Sequence, residues 1–366
     1  MVKHQNIIYE IMHTEEPVAR VSTAGEAEIM QEDFMPYDLY LEPEDENDID
    51  IRMNNLENFY HWCASRMLTL DRQYAKAILN SIGASQAVTD RDRANIALSY
   101  HCVTLTDVFW VRKQGENARF EEINLYDHSL NDAVAAISLR GRQMTVTNRE
   151  LAQDISTGGC FPKAWIREKN LFLLKGGSET AVRNELLASR ICRCFAIPQV
   201  AYEPYIFENQ LVSKSEIFTS KRYSIVTKMA FDIYALNHDL DTLEMCKTLD
   251  PIAYYGMNIL DYLVGNTDRH PENWGFLVDN RTNRCVSLHP LMDFNQSFLS
   301  YDAPDGANCL TVFPARMTQR EVAVEAVSRI GLRQVREVDV SWFGGRVEEA
   351  QMFMWRLEEL KKDTIT

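Results

Sequence analysis

Hydrophobic positions along the chain change period several times, and each change marks an element. Residues 17–31 alternate apolar and polar around Gly25 and predict a β-hairpin. Farther on, Leu56, Phe59, Tyr60, Cys63 and Met67 fall at helical spacing and form one apolar stripe. Asp71 and Thr89 stand where helix N-caps belong, and Gly83 where a helix would end. Residues 103–125 mix apolar and polar positions without a sharp period and carry no recognisable chemistry.

From residue 146 the pattern changes. A small-residue loop, Ser156-Thr157-Gly158-Gly159, leads through Lys163-Ala164-Trp165-Ile166 and a charged turn to an apolar strand from Leu171 to Lys175. Ser178 then caps a helix on which Glu185 lies among Ala181, Ala188 and Cys192, with Arg183, Arg190 and Arg193 on the opposite side. Segments 197–202 and 223–229 read as further strands. Asp250-Pro251 opens a helix, acid as cap and proline in the first turn, that runs to Gly265. A short strand pair joined by a polar turn follows, and residues 318–335 and 346–362 have helical composition. These blocks predict an α+β chain: a mixed, largely helical N-terminal region over 1–145, a mixed lobe over 146–232 and a mainly helical lobe over 233–366.

Composition narrows the function. The 366 residues are 46% hydrophobic and 25% charged, as in a globular protein. No apolar run approaches the ~18 residues of a membrane span, and the first residues lack the apolar core of a signal peptide, so the expected location is cytoplasmic. Eight scattered cysteines without a Cys-x-x-Cys pair point to packed, reduced thiols. Of the net charge of −15, residues 1–60 supply −12, with 15 acids against 3 bases. The remainder is near neutral and can accept a polyanionic nucleotide. Direct nucleic-acid binding is not expected from so acidic a chain, nor is a membrane partner. The six acids of residues 42–50 form a solvated linker or, in the sharper reading, a docking segment for a basic partner.

The chemistry concentrates between residues 261 and 295. After the apolar helix, a polar loop sets Asp268 and Asn273 five residues apart, and Asp293 stands beyond the strand pair. Asp-x-x-x-x-Asn is the spacing of the protein-kinase catalytic loop, and Asp293-Phe294-Asn295 matches its metal-binding motif with the glycine replaced. Phosphoryl transfer needs cations over the phosphates and an acceptor for the attacking hydroxyl's proton, and magnesium takes hard oxygen ligands. Asp268 would orient the hydroxyl, with Asn273 and Asp293 on the metal. Glu185, on an apolar face, needs a cation; Lys175 is the economical partner and would be held for the nucleotide phosphates, with Lys163 the competing lysine. Glycines 158 and 159, beside Ser156 and Thr157, would let backbone amides approach phosphate. Residues 229–232, Met229 to Asp232, would bridge two lobes and offer free backbone groups to adenine, which places Met229 and Phe231 at the nucleotide. His270 would approach the γ-phosphate or bond the loop backbone, and Arg269 a phosphorylated loop or a surface carboxylate.

Segments Ser156 to Lys163, Leu174-Lys175, Asn184-Glu185, Gly265 to Asn273 and Pro290 to Asp293 resemble the HipA-like kinase family, bacterial Ser/Thr kinases with a bilobed protein-kinase-like fold, some of them toxins. The resemblance implies Asp268 as catalytic acid, Asn273 and Asp293 as magnesium ligands, Lys175 on the nucleotide phosphates, and autophosphorylation at Ser156 or Thr157. ATP and Mg2+ are the implied cofactors and a protein, of unknown identity, the substrate. The N-terminal 145 residues depart from the small β-domain of the toxin kinases, apart from the hairpin. Alternative readings are a phosphoinositide-type lipid kinase, a non-catalytic pseudokinase or interaction module, and a metallohydrolase using His270, His289 and Asp293.

Overall fold

The computed structural model describes residues 6–43, 48–67, 89–129, 162–207, 209–299 and 301–363. The expected cap at Asp71, the helix end at Gly83, the Ser156-Thr157-Gly158-Gly159 loop and three acids of the acidic stretch lie outside them. Two compact units emerge. One comprises Met1–Leu171, Thr219–Ser224 and Asp279–Arg284; the other comprises Phe172–Phe218, Ile225–Val278 and Cys285–Thr366. No described helix is long and apolar enough to cross a membrane.

The first unit is built on an antiparallel sheet of β1 (Ile8–His13), β2 (Glu16–Ser22), β3 (Ala27–Ile29) and β4 (Phe109–Lys113), in the order β3-β2-β1-β4. The hairpin read from residues 17–31 is the β2–β3 pair. Gly25 turns it at φ +86, and a Cβ there would meet the Arg52 carbonyl oxygen at 2.2 Å, so only glycine fits. Helix α1 (Ile49–Ser65) starts on an Asp48 cap and buries Phe59, Trp62 and Cys63. It packs against α2 (Asp90–Ser99), whose Thr89 cap and Asp92 form a capping box. The stretch 103–125 supplies β4, which pairs with β1 about a hundred residues away. Buried Arg66 anchors the approach to β4, clamping Asp107 at 2.6 and 2.9 Å and donating to the carbonyls of Cys102 and Phe109. The N-terminal region therefore carries a sheet as well as helices. Strand β5 (Lys163–Arg167) follows.

In the second unit, β6 (Leu171–Lys175), β7 (Glu203–Phe207) and β8 (Gln210–Glu216) pair antiparallel with β8 between the other two. Helix α3 (Glu179–Cys192) begins on Ser178, whose hydroxyl accepts the Ala181 N–H at 3.2 Å. A second sheet, in the order β11-β10-β9, joins β9 (Tyr223–Thr227), β10 (Gly275–Asp279) and β11 (Arg284–Leu288). Helices α4 (Lys228–Asn237), α5 (Thr242–Leu249), α6 (Pro251–Val264), α7 (Gln319–Ile330) and α8 (Val347–Asp363) complete it. Almost every residue of α6 from Ala253 onward is buried, which makes it the central helix of the unit. It starts on the Asp250 cap with proline in its first turn and ends at Gly265 in the left-handed region.

One strand was expected in the wrong place. Segment 197–202 makes only an isolated bridge, Gln199 with Leu291, because Pro198 has no N–H to continue a ladder. The hairpin lies just beyond, in β7 and β8.

Candidate active site

The site grows from the end of β6. The Lys175 side chain turns inward, 4% exposed, and its ammonium donates to Glu185 Oε1 at 2.6 Å and to Asp293 Oδ1 at 2.8 Å. Glu185, on the buried face of α3, also accepts the Ser213 hydroxyl from β8, the residue opposite Lys175 in the ladder. Burial alone would lower the Lys175 pKa, but the Asp293 and Glu185 carboxylates outweigh it and hold the group well above its ordinary value. The pairing expected from the sequence is present, and Asp293 joins it as a second carboxylate. The cluster carries one net negative charge.

Asp293 adopts φ +62, a left-handed conformation that a non-glycine residue holds only with support. Three groups supply it. The Asp293 N–H donates to the Tyr202 hydroxyl at 3.2 Å, its carbonyl accepts from Asn266 Nδ2 at 3.3 Å, and its carboxylate takes Lys175.

The Asp268–Asn273 loop hangs from the last turn of α6. Arg269 grips Asp261 with Nε at 2.8 Å and Nη2 at 2.9 Å, while Nη1 donates to the carbonyls of Asn273 at 3.1 Å and Met292 at 2.6 Å. One nitrogen thus joins the chain at Asn273 to the chain just before Asp293. Asn266 bonds Asp261 through Nδ2 and receives the Asp268 N–H on Oδ1, and Asn273 Nδ2 closes the loop on the Asp268 carbonyl at 2.6 Å. That last bond leaves out the Asn273 amide oxygen, the atom a cation would take. Burial lifts the Asp268 carboxyl above the ordinary carboxylate range; nearby His270 opposes the rise, and the Asp293 charge adds to it.

The expected partner of Arg269, a phosphorylated loop or a surface carboxylate, is corrected here. Its carboxylate is Asp261, buried on the inner side of α6, which would otherwise be an unpaired interior charge. His270 is half-exposed, and its Nδ1 accepts the Glu272 N–H at 3.2 Å, so one ring nitrogen serves the loop backbone. Lys163 opens β5 and is half-buried.

The expected bridge from Met229 to Asp232, on which Met229 and Phe231 were placed at the nucleotide, is helical instead. Residues 229–232 form the first turn of α4 under a Thr227 cap, with the Met229 N–H already on the Pro271 carbonyl and the Ala230 N–H on Thr227. Phe231 is a core residue, 1% exposed and 4.4 Å from the Phe276 ring. The Met229 and Ala230 amides of this turn thus already have acceptors. His289 is buried with its Nδ1 on the Pro290 carbonyl, and no group of three or more His, Cys, Asp or Glu among the described residues is placed to hold a metal ion.

Sequence reasoning missed Tyr202, Ser213, Asn266 and Asp261. Only Asp261 left a signal: an acid on an otherwise apolar helix must find a cation.

No protein-family model and no curated protein matches the sequence. Solved structures do. HipA from the Shewanella oneidensis toxin–antitoxin complex of HipA, HipB and operator DNA is 11% identical with a TM-score of 0.50, over 98% of this chain and 99% of that one. The Helicobacter pylori proinflammatory kinase CtkA is 16% identical with a TM-score of 0.44, over 57% of this chain and 90% of that one. The likeness to HipA runs through the N-terminal region that the sequence had set apart. The chain has a HipA-like, kinase-like α+β fold.

Proposed function

We propose that the chain is an ATP- and magnesium-dependent protein kinase that phosphorylates Ser or Thr hydroxyls. The observation that carries this reading is Lys175 held between Glu185 and Asp293, with Asp268 in the field of the same charges. The donor set fits magnesium: a carboxylate on Asp293 and an amide oxygen on Asn273 are hard ligands, and phosphate oxygens and water complete such a shell. The net negative charge of the Lys175 cluster also favours a cation. A magnesium ion held by Asp293 and Asn273 would supply positive charge against that of the nucleotide phosphates.

The remaining work falls to the protein. Lys175, fixed by Glu185, directs its ammonium at phosphate oxygens. Asp268 accepts the proton of the attacking hydroxyl as its oxygen bonds to the γ-phosphorus and the bond to the β-phosphate oxygen breaks, releasing ADP. A carboxyl lifted by burial is better matched to that proton than an ordinary one. Arg269, Asn266 and Asp261 keep the loop and the metal-binding segment in one piece.

Autophosphorylation at Ser156 or Thr157 is part of the proposal. Intact-protein mass after incubation with ATP and magnesium, followed by peptide mapping, tests it. Added phosphate on a Ser or Thr of wild type and none in Asp268→Asn is expected. Phosphate on tyrosine, or transfer to phosphoinositide vesicles and to no protein, would replace the substrate class.

A further inference from the structure

Tyr202 stands outside the motifs read from the sequence, yet it touches two of the charged residues of the site, Lys175 and Asp293. It is 4% exposed, and its backbone N–H is pinned by the Ser189 hydroxyl at 3.1 Å. The Lys175 ammonium lies 5.4 Å from the ring centroid, in the range of a cation–π contact. The hydroxyl accepts the Asp293 N–H at 3.2 Å. That N–H belongs to a residue at φ +62, so its bond helps decide which way the Asp293 carboxylate points.

We propose that Tyr202 is a positioning residue that sets the magnesium affinity of the site by fixing the backbone of Asp293. The inference rests on the kinase reading and on the assignment of Asp293 to the metal. Asn266 holds the carbonyl side of the same residue, so Tyr202 and Asn266 grip Asp293 from its two peptide groups. Losing one grip frees rotation about Asp293 and leaves an N–H without its acceptor. The ammonium keeps its contact with the ring if only the hydroxyl is removed.

The test is ATP binding by full-length Tyr202→Phe across a magnesium series, with a metal-free point and thermal unfolding alongside. The expected result is a half-saturating magnesium concentration raised about fivefold, the effect of one lost hydrogen bond, with metal-free ATP affinity unchanged. Tyr202→Leu, which also removes the ring under Lys175, is expected to weaken metal-free ATP binding as well. A magnesium profile for Tyr202→Phe that superimposes on wild type overturns the role of Tyr202 and leaves the kinase reading standing. Wild type that binds no ATP at any magnesium concentration overturns both.

Discussion

Arg269 and Asp261 form a two-pronged ion pair inside the protein, Nε and Nη2 on the two carboxylate oxygens at 2.8 and 2.9 Å. The pair is buried rather than on the surface, and Arg269 directly follows Asp268 in the chain. Because Nη1 also spans the carbonyls of Asn273 and Met292, a structural contact and the geometry of the site are one object.

Breaking the pair from one side strands a buried charge. Asp261→Ala is predicted to destabilise the protein by about 3–5 kcal/mol, read by urea unfolding. Arg269→Lys keeps the charge but loses the planar fork, and is predicted to cost less in stability while lowering activity, because the carbonyls of Asn273 and Met292 lose their shared donor. Equal stability for wild type and Asp261→Ala would remove the pair from the account.

In the proposed kinase two lysines are candidates for the nucleotide, and Lys175 is the one held between Glu185 and Asp293. Lys175→Met is predicted to weaken ATP binding by about tenfold or more, since a charge-assisted bond to phosphate is worth more than a neutral one. Glu185→Gln is predicted to weaken it less, by loosening the lysine. Lys163→Met is predicted to leave binding within about twofold. Isothermal titration with ATP decides, and the reverse order would assign the phosphate role to Lys163.

Two buried histidines make stability depend on pH. Burial pushes His13 and His289 down to about 4 from an ordinary 6.5. The unfolded chain therefore binds protons between these values that the folded chain does not, and stability falls as pH drops from about 6.5 toward 4. Each group contributes up to about 1.4 kcal/mol per pH unit in that window. Urea midpoints from pH 7 to 4.5 should decline, and His289→Gln should flatten part of the slope. A midpoint independent of pH over this range would contradict the burial of both rings as neutral groups.

Local chemistry was legible in the sequence where one side chain serves its own neighbourhood. Thr89, Ser178 and Asp250 cap the helices expected of them, and Gly265 ends α6. Glu185 was readable because a carboxylate on an apolar face has to find a cation, and Lys175 stood ten residues away. Long-range partners left no such trace. Tyr202 and Asp293 are 91 residues apart, and β4 meets β1 across the length of a domain. Phe231 misled for a different reason. An apolar run after a strand reads as more strand or as a bridge, but the Thr227 side chain caps a helix at that point and carries Phe231 into the core.

ADP formation from ATP and magnesium, by wild type and by Asp268→Asn, tests the central claim most directly. The variant keeps the size of the side chain and the backbone bonds of the loop, so it removes the proton acceptor and little else. Wild type should release ADP, and the variant should be slower by about a hundredfold or more while still binding ATP. Equal rates in the two proteins would contradict the assignment of Asp268, and no ADP from wild type with any protein acceptor would contradict kinase chemistry at this site.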